Sequence, residues 1–513
     1  MARNVNGEVH RVVRRDPRHS SATARDDAGR ASTWWVLLLV LVLAAGAATW
    51  RLDLADPARE RVESLYERVL GEDEEPDPRT DPAAVPPPPG LSLPALVDPD
   101  PVADPVDAES AGEPSPTAVR RVLERRLGER RLGKRVSVAV AGATGAPAYA
   151  EGRALVPAST TKLLTSVAAL ETIEPGTTFA TTTVLRGNRL VVVGGGDPFL
   201  MREPDAPGTT SVPARADITT LARLSAEELG ERGVRRVRVG YDATLFSGPA
   251  FNPRWPDTYR GDVVSPITAL WVDQGRPETG FGRVDDPAAV AAQVFAAALA
   301  DAGVRVQGSP SPARGRGDEV AVVESAPVDD IVDRLLQVSD NEATEVLLRH
   351  VGLATGGAGS FVDGVRGVER VLERLGVPAP RRLYDGSGLS RENLLSPATL
   401  VGLLQAVVGA DEDDPVRAVL GGLPVAGFSG SLTFRFDDAP PAAVGAVRAK
   451  TGTLSGVSSL AGTVVSRDGV PMVFALMLDR VGEADEGFAQ AALDSAAAAL
   501  GACRCARGGS GAG

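Results

Sequence analysis

The chain reads as a mixed α/β (α+β) protein: an antiparallel sheet assembled from both ends of its folded part, helices on both faces of that sheet, and an inserted α/β module. Three observations predict this. Strand-like apolar patterns at 135–141 and 148–154 are answered by three more near the C-terminus, at 444–451, 457–465 and 470–479. The sequence joining these two groups is mostly of helical period, so the strands from the two ends have to meet. Within it, 178–275 changes texture and opens on a hairpin pattern: Phe179–Leu185, the turn Arg186-Gly-Asn-Arg189, then Leu190–Val193.

Residues 1–30 carry seven arginines against four acids without apolar period, which predicts a disordered cytoplasmic tail. Trp34–Trp50 is seventeen residues without a charge, bracketed by Trp. With Ala31–Thr33 it is long enough for a membrane anchor, and the Arg-rich flank before it puts the rest of the chain outside. The competing expectation is a cleaved signal segment, with Ala45-Gly-Ala47 as the cleavage site. Residues 51–116 are a linker: Pro76–Pro116 holds thirteen prolines, and Glu72–Glu113 holds twelve acids against one Arg. Such a composition packs no core and makes a stiff, extended spacer.

Order begins near Thr117. Thr117–Leu127 is amphipathic, and after the two strands Pro157 and Ala158 lead into a helix expected from Ser159 to Leu170. The module at 178–275 continues with a sharp turn at Gly194-Gly-Gly-Asp-Pro198, a helix near 218–229 and a strand at 235–241. The main domain, 117–177, resumes at 276–505. Asp286 before Pro287 is a cap and first-turn pair for a helix over Pro287–Ala302, stopping before Gly303. Ser309–Gly317 reads as a surface loop. Helices follow at 328–338, from Glu342 onward, at 361–375 and at 397–408, and a last one at 487–500 closes the domain before a tail at 506–513.

The chemistry shows in how lysine is rationed. Only three of the 54 basic residues Lys+Arg are lysines: Lys134, Lys162 and Lys450. Arg does not deprotonate in a protein, whereas a lysine amine can be brought to its neutral, proton-accepting form. Lys162 stands in Ser159-Thr-Thr-Lys162, a spacing that puts hydroxyl and amine on one helix face. Serine is a poor nucleophile until a base takes its proton. His10, His19 and His350 are the only histidines, two of them before the apolar run and the third alone near the end of an expected helix, which speaks against a Ser-His-Asp triad and makes Lys162 the obvious substitute. Ser at a helix start also faces the positive end of the helix dipole, which favours an alkoxide or oxyanion there. Downstream come Ser339-Asp-Asn341 and then Lys450-Thr-Gly-Thr453. Alone, the first reads better as a helix cap than as a site, and the second as a solvated strand end. In this order they form one set.

With these three motifs the chain resembles the serine D-Ala-D-Ala carboxypeptidases of the penicillin-binding group. It is most similar to their low-molecular-mass class C carboxypeptidase/endopeptidases, peptidase family S13. Further matching pieces are Gly195-Gly-Asp-Pro198, Asp385-Gly-Ser-Gly-Leu-Ser390, Leu423-Pro-Val-Ala-Gly427 and Gly430-Ser-Leu432, over about 117–500. The resemblance implies a penicillin-binding/β-lactamase-like transpeptidase fold with the site in the seam between sheet and helices. It implies that Ser159 is acylated, Lys162 is its base and Ser339 relays the proton to the leaving group. Asn341 would hold the substrate amide, Lys450 and Thr451 the substrate carboxylate. Gly452 would let the substrate backbone lie against the strand, and the N–H groups of Ser159 and Thr453 would form the oxyanion hole. The implied partners are peptidoglycan peptides ending in D-Ala-D-Ala, with β-lactams as inhibitors and no cofactor. Some members carry a further domain before the second motif; about seventy residues between Trp271 and Ser339 leave it little room.

A net charge of −13 argues against nucleic acid as a partner. Cys503 and Cys505 have no His nearby for a zinc site and are read as incidental. Asp385-Gly-Ser-Gly388 reads as a turn. Trp255, Tyr259 and Trp271 are candidates for the cleft wall, with core packing the stronger expectation. Two rival functions remain at this stage: a β-lactamase, against which the insertion and the long tether speak, and a non-catalytic β-lactam or wall-binding sensor, against which the intact motifs speak.

Overall fold

In the computed structural model, residues 112–437, 439–440 and 443–507 are described. The tail, the apolar segment at 31–50 and nearly all of the 51–116 spacer lie outside the described residues, as does most of 506–513. Among the described residues no helix is long and apolar enough to cross a membrane, and no cluster of His, Cys, Asp and Glu is arranged to hold a metal.

The first helix, α1 (Pro116–Leu127), starts where Ser115 accepts a hydrogen bond from the Ala118 amide and Pro116 occupies the first turn. Then come β1 (Arg135–Gly142) and β2 (Tyr149–Glu151). From the other end of the chain come β9 (Val447–Leu454), β10 (Val457–Val465) and β11 (Pro471–Asp479). All five form one antiparallel sheet in the order β2-β1-β11-β10-β9. The expectation of a sheet built from both chain ends holds, with β1 pairing β11 from Arg135↔Asp479 to Gly142↔Met472.

Both faces of this sheet are buried, and alternation decides which residue serves which face. On β11, Met472, Phe474, Leu476 and Leu478 join a cluster with α1 and the last helix, α10 (Glu486–Ala502). The intervening Val473, Ala475 and Met477 join a larger cluster on the opposite face. That cluster contains α2 (Lys162–Thr172), α5 (Val328–Val338), α6 (Asn341–Ala354), α7 (Phe361–Arg374), α8 (Pro397–Val408) and α9 (Ala418–Gly422). A central strand apolar on both sides explains the unbroken run Met472–Leu478.

The inserted module has its own six-stranded sheet and its own apolar cluster. Its parts are β3 (Ala180–Arg186), β4 (Arg189–Val193), α3 (Ile218–Glu231), β5 (Arg236–Asp242), α4 (Pro287–Asp301), β6 (Arg305–Val306), β7 (Ser311–Pro312) and β8 (Asp318–Glu324). The order is β6-β5-β4-β3-β8, with β7 also paired to β5. This moves one boundary. The sequence reading ends the module at 275 and returns to the main domain at 276, but β8 pairs antiparallel with β3, and Phe295 and Leu299 of α4 sit in the module's core. The module therefore runs to Glu324. The signal was weak because β6 and β7 are two residues each and Pro312 lies in the supposed loop.

Cys503 and Cys505, read as incidental, are bonded to each other. The Cys505 carbonyl accepts from the Ser115 amide at 2.7 Å, and Pro114 bridges Ala506. The two ends of the main domain are thus pinned together.

Candidate active site

Three segments converge between the five-stranded sheet and its helical cluster. The first follows β2, where Leu155 bridges Leu395 and fixes the approach. The helix expected to open at Ser159 is preceded by a 3₁₀ turn, Ala158–Thr161, and α2 proper begins at Lys162. The reason lies one residue earlier: Ala158 is held at φ 48, left-handed backbone that a non-glycine residue adopts at a cost of about 1–3 kcal/mol. Gly388 (φ 86) passes directly above, and a Cβ there would lie 1.9 Å from the Ala158 carbonyl oxygen.

The Lys162 side chain is completely buried. Its Nζ lies 3.0 Å from Ser159 Oγ, 2.7 Å from Asn341 Oδ1 and 2.9 Å from the Ser387 carbonyl oxygen. Burial lowers its pKa from 10.5 to about 8, against the opposing pull of Glu345, Asp340 and Asp385. Ser159 is only partly covered, as an attacking group must be.

The second segment is the joint between α5 and α6. Ser339 ends α5 at φ 60, a left-handed cap, and Asp340 caps α6 by accepting from the Ala343 amide at 2.8 Å. Asp340 is the helix cap, and the side chains of its two neighbours meet the two buried lysines. Ser339 Oγ accepts from Lys450 Nζ at 2.8 Å, and Asn341 meets Lys162.

The third segment is β9, the edge of the sheet. Lys450 is completely buried and donates also to the Thr451 carbonyl at 3.0 Å. Burial first, then repulsion from Lys162, pushes its pKa well below the usual lysine range. Thr451 Oγ1 lies 3.0 Å from Ser431 Oγ. At Gly452 a Cβ would lie 2.6 Å from the Pro157 carbonyl oxygen and 3.1 Å from the Ser159 nitrogen. Only glycine lets this strand pass so close to the Ser159 turn. Thr453 follows, paired with Ser458 across β10.

Of the eight residues singled out in the sequence, six are linked by these contacts: Ser159, Lys162 and Asn341 in one set, Ser339, Lys450 and Thr451 in the other. Gly452 and Thr453 are placed by the strand they stand on. Four further residues brace the site: Asp385, Ser387 and Ser431, which the sequence offered only as parts of the matching pieces, and Glu345, which it did not single out. The Ser387 carbonyl is a third acceptor on Lys162, and Glu345 holds it in place by accepting from the Gly386 and Ser387 amides at 3.1 and 2.7 Å. Burial pushes the Glu345 carboxyl up to about 8. Asp385, fully buried, accepts from Gly388, Ser390, Asn393 and Trp255 Nε1 and locks the same loop. The fourth is Ser431, beside Thr451. The available signal was position: Glu345 stands one helical turn after Asn341.

Trp255 and Trp271 are buried in the core, as the stronger expectation had it. His350 takes no part. It is stacked on Phe179 with ring centroids 3.7 Å apart, bonded to the Gly196 carbonyl, and burial lowers its pKa to about 4.

The chain matches the D-Ala-D-Ala carboxypeptidase 3 (S13) family over residues 120–281 and 276–500. It is 34% identical over 440 residues to carboxypeptidase DacB of Mycolicibacterium smegmatis, covering 82% of this chain and 91% of that protein. It is 33% identical over 410 residues to the D-alanyl-D-alanine carboxypeptidase of an Actinomadura species, covering 65% of this chain and 75% of the relative. Among solved structures, penicillin binding protein 4 (dacB) of Haemophilus influenzae shares the fold, with a TM-score of 0.63 at 20% identity over 74% of this chain and 98% of that one. The fold is thus the penicillin-binding one expected. By the length and identity of these matches, the chain belongs to the D-Ala-D-Ala carboxypeptidase 3 (S13) family.

Proposed function

We propose that this chain is a serine carboxypeptidase/endopeptidase that acts on peptidoglycan stem peptides ending in D-Ala-D-Ala, through an acyl-enzyme on Ser159, and that β-lactams acylate the same serine. The observation that carries the proposal is the fully buried Lys162 amine 3.0 Å from Ser159 Oγ, with its pKa brought down to about 8. An amine so placed takes the hydroxyl proton as Oγ attacks the carbonyl of the penultimate D-Ala. Negative charge then develops on the carbonyl oxygen, for which the Ser159 and Thr453 amides are the candidate donors.

Collapse of the tetrahedral species breaks the C–N bond, and the departing amine takes a proton. Ser339, bonded to Lys450, is the hydroxyl suited to relay to it the proton that Lys162 took from Ser159, so that Lys162 is neutral again in the acyl-enzyme. The terminal carboxylate of the substrate lies toward Thr451 and Lys450. A carboxylate there favours the charged form of Lys450, so substrate binding and protonation of Nζ reinforce each other. As the edge of its sheet, β9 can accept an extended peptide as an added strand. Water then attacks the ester carbonyl while Lys162 takes its proton, and Lys162 passes that proton to Ser159 Oγ as the ester C–O bond breaks, restoring the hydroxyl and the neutral amine.

Support for the substrate class comes from the relatives, two of them named as carboxypeptidases, and from the penicillin binding protein 4 structure in complex with a β-lactam. We also infer that residues 34–50 keep the catalytic part at the outer face of the cell membrane. The test of the activity is release of D-Ala from a peptide ending in D-Ala-D-Ala, present in the wild type and absent in Ser159→Ala. Rapid steady-state turnover of penicillin would instead point to a β-lactamase.

A further inference from the structure

We infer that the inserted module supports catalysis from outside the three motifs: Gln274 and Arg283 are positioning residues that hold the Ser339–Asn341 turn in its working geometry. The inference rests on the proposed function and goes beyond it, since neither residue belongs to any of the three motifs.

Asn341 is gripped on both sides by one loop of the module. Before it, Asp340 has two carboxylate oxygens with two different duties. Oδ1 caps α6, and Oδ2 accepts from Gln274 Nε2 at 2.8 Å. After it, Glu342 is nearly buried and pairs with Arg283, whose Nε and Nη2 both lie 2.8 Å from Glu342 Oε1. Arg276 Nη1 donates to Gln274 Oε1 at 2.6 Å, which fixes which way the Gln274 amide faces.

Three successive residues, Asp273 (φ 51), Gln274 (φ 55) and Gly275 (φ 70), are held left-handed to deliver that amide. Strained backbone of this kind persists only where its surroundings overdetermine it. The loop is tied down by the Asp273 amide donating to the Leu200 carbonyl and by the Arg283 amide donating to the Gly261 carbonyl, both at 2.9 Å.

Helix α6 needs only Oδ1 of Asp340 for its cap, so the fold does not explain the second contact. What it does fix is the direction of the two side chains beside it. Ser339 and Asn341 leave a left-handed joint toward two different lysines, and a drift of the order of 1 Å at a reacting group costs about 100-fold in rate.

The test is the acylation rate constant for a fluorescent penicillin on the full-length protein, measured with the melting temperature for the wild type, Gln274→Met, Gln274→Glu, Arg283→Met and Arg283→Lys. Positioning predicts a loss of about 10- to 100-fold for Gln274→Met and Arg283→Met with melting within a few degrees of wild type. Gln274→Glu should be worse than Gln274→Met, because it sets a carboxylate against Asp340. Arg283→Lys should recover part of the rate. Wild-type rates in all four variants, or rates that fall only in step with melting temperature, would overturn the inference. If the wild type is not labelled, it is the proposed function that fails.

Discussion

The rate of Ser159 acylation should follow the ionisation of Lys162, and the structure sets both the direction and the size of that dependence. Burial brings this amine from 10.5 to about 8, a shift worth about 3 kcal/mol between its two protonation states. At pH 7.4 about one molecule in five then holds it neutral, against about one in a thousand for an ordinary lysine. The neutral form is the base, so acylation rises with pH through a limb centred near 8 and levels off above it. The perturbation is pH itself, backed by Lys162→Arg, whose guanidinium stays charged throughout. The assay is the second-order rate constant of a fluorescent penicillin from pH 6 to 10, with a profile expected for the wild type and no acylation for the arginine variant. Stability should move in the same window. Between about 8 and 10.5 the unfolded chain holds the proton that the folded chain has lost, so stability rises with pH there and the penalty of burying the ammonium is felt in full below about 8. A flat rate profile, or an arginine variant that still acylates, would refute the reasoning.

Other consequences are more local. Gly452→Ala places a methyl 2.6 Å from the Pro157 carbonyl and 2.2 Å from Ser459 Oγ; acylation should fall about 100-fold, and urea unfolding should show a loss of about 1–3 kcal/mol. Glu345→Ala leaves the Gly386 and Ser387 amides without their buried acceptor. It should cost about 1–3 kcal/mol in the same unfolding assay and slow acylation by loosening the carbonyl that faces Lys162. Trp255→Phe removes the 2.7 Å bond to Asp385 and should lower stability by about 1–3 kcal/mol, while labelling by penicillin survives.

The chemistry was more legible in the sequence than its supports were. A chain that uses arginine nearly everywhere and keeps lysine at 162 and 450 marks where an amine is needed, and both lysines prove to be fully buried in one site. The five-stranded sheet could be read because its long strands carry apolar patterns of their own, alternating at Arg135–Ala141 and unbroken at Met472–Leu478. What escaped was whatever depends on backbone or on distance along the chain. The Ser387 carbonyl has no side-chain signature, and Glu345 looks like any acid on a helix. Gln274 acts through left-handed backbone that no pattern announces. The end of the module at Glu324 was hidden because β8 finds β3 across more than a hundred residues, joined by strands too short to show a period.

The most direct measurement is intact-mass and peptide-mapping mass spectrometry of the full-length protein after exposure to penicillin, beside Ser159→Ala and Lys162→Arg. If a primary amine activates this serine, wild type gains one penicilloyl group on the peptide containing Ser159 and neither variant gains any. An adduct on another residue, or an equal adduct in Lys162→Arg, would contradict it.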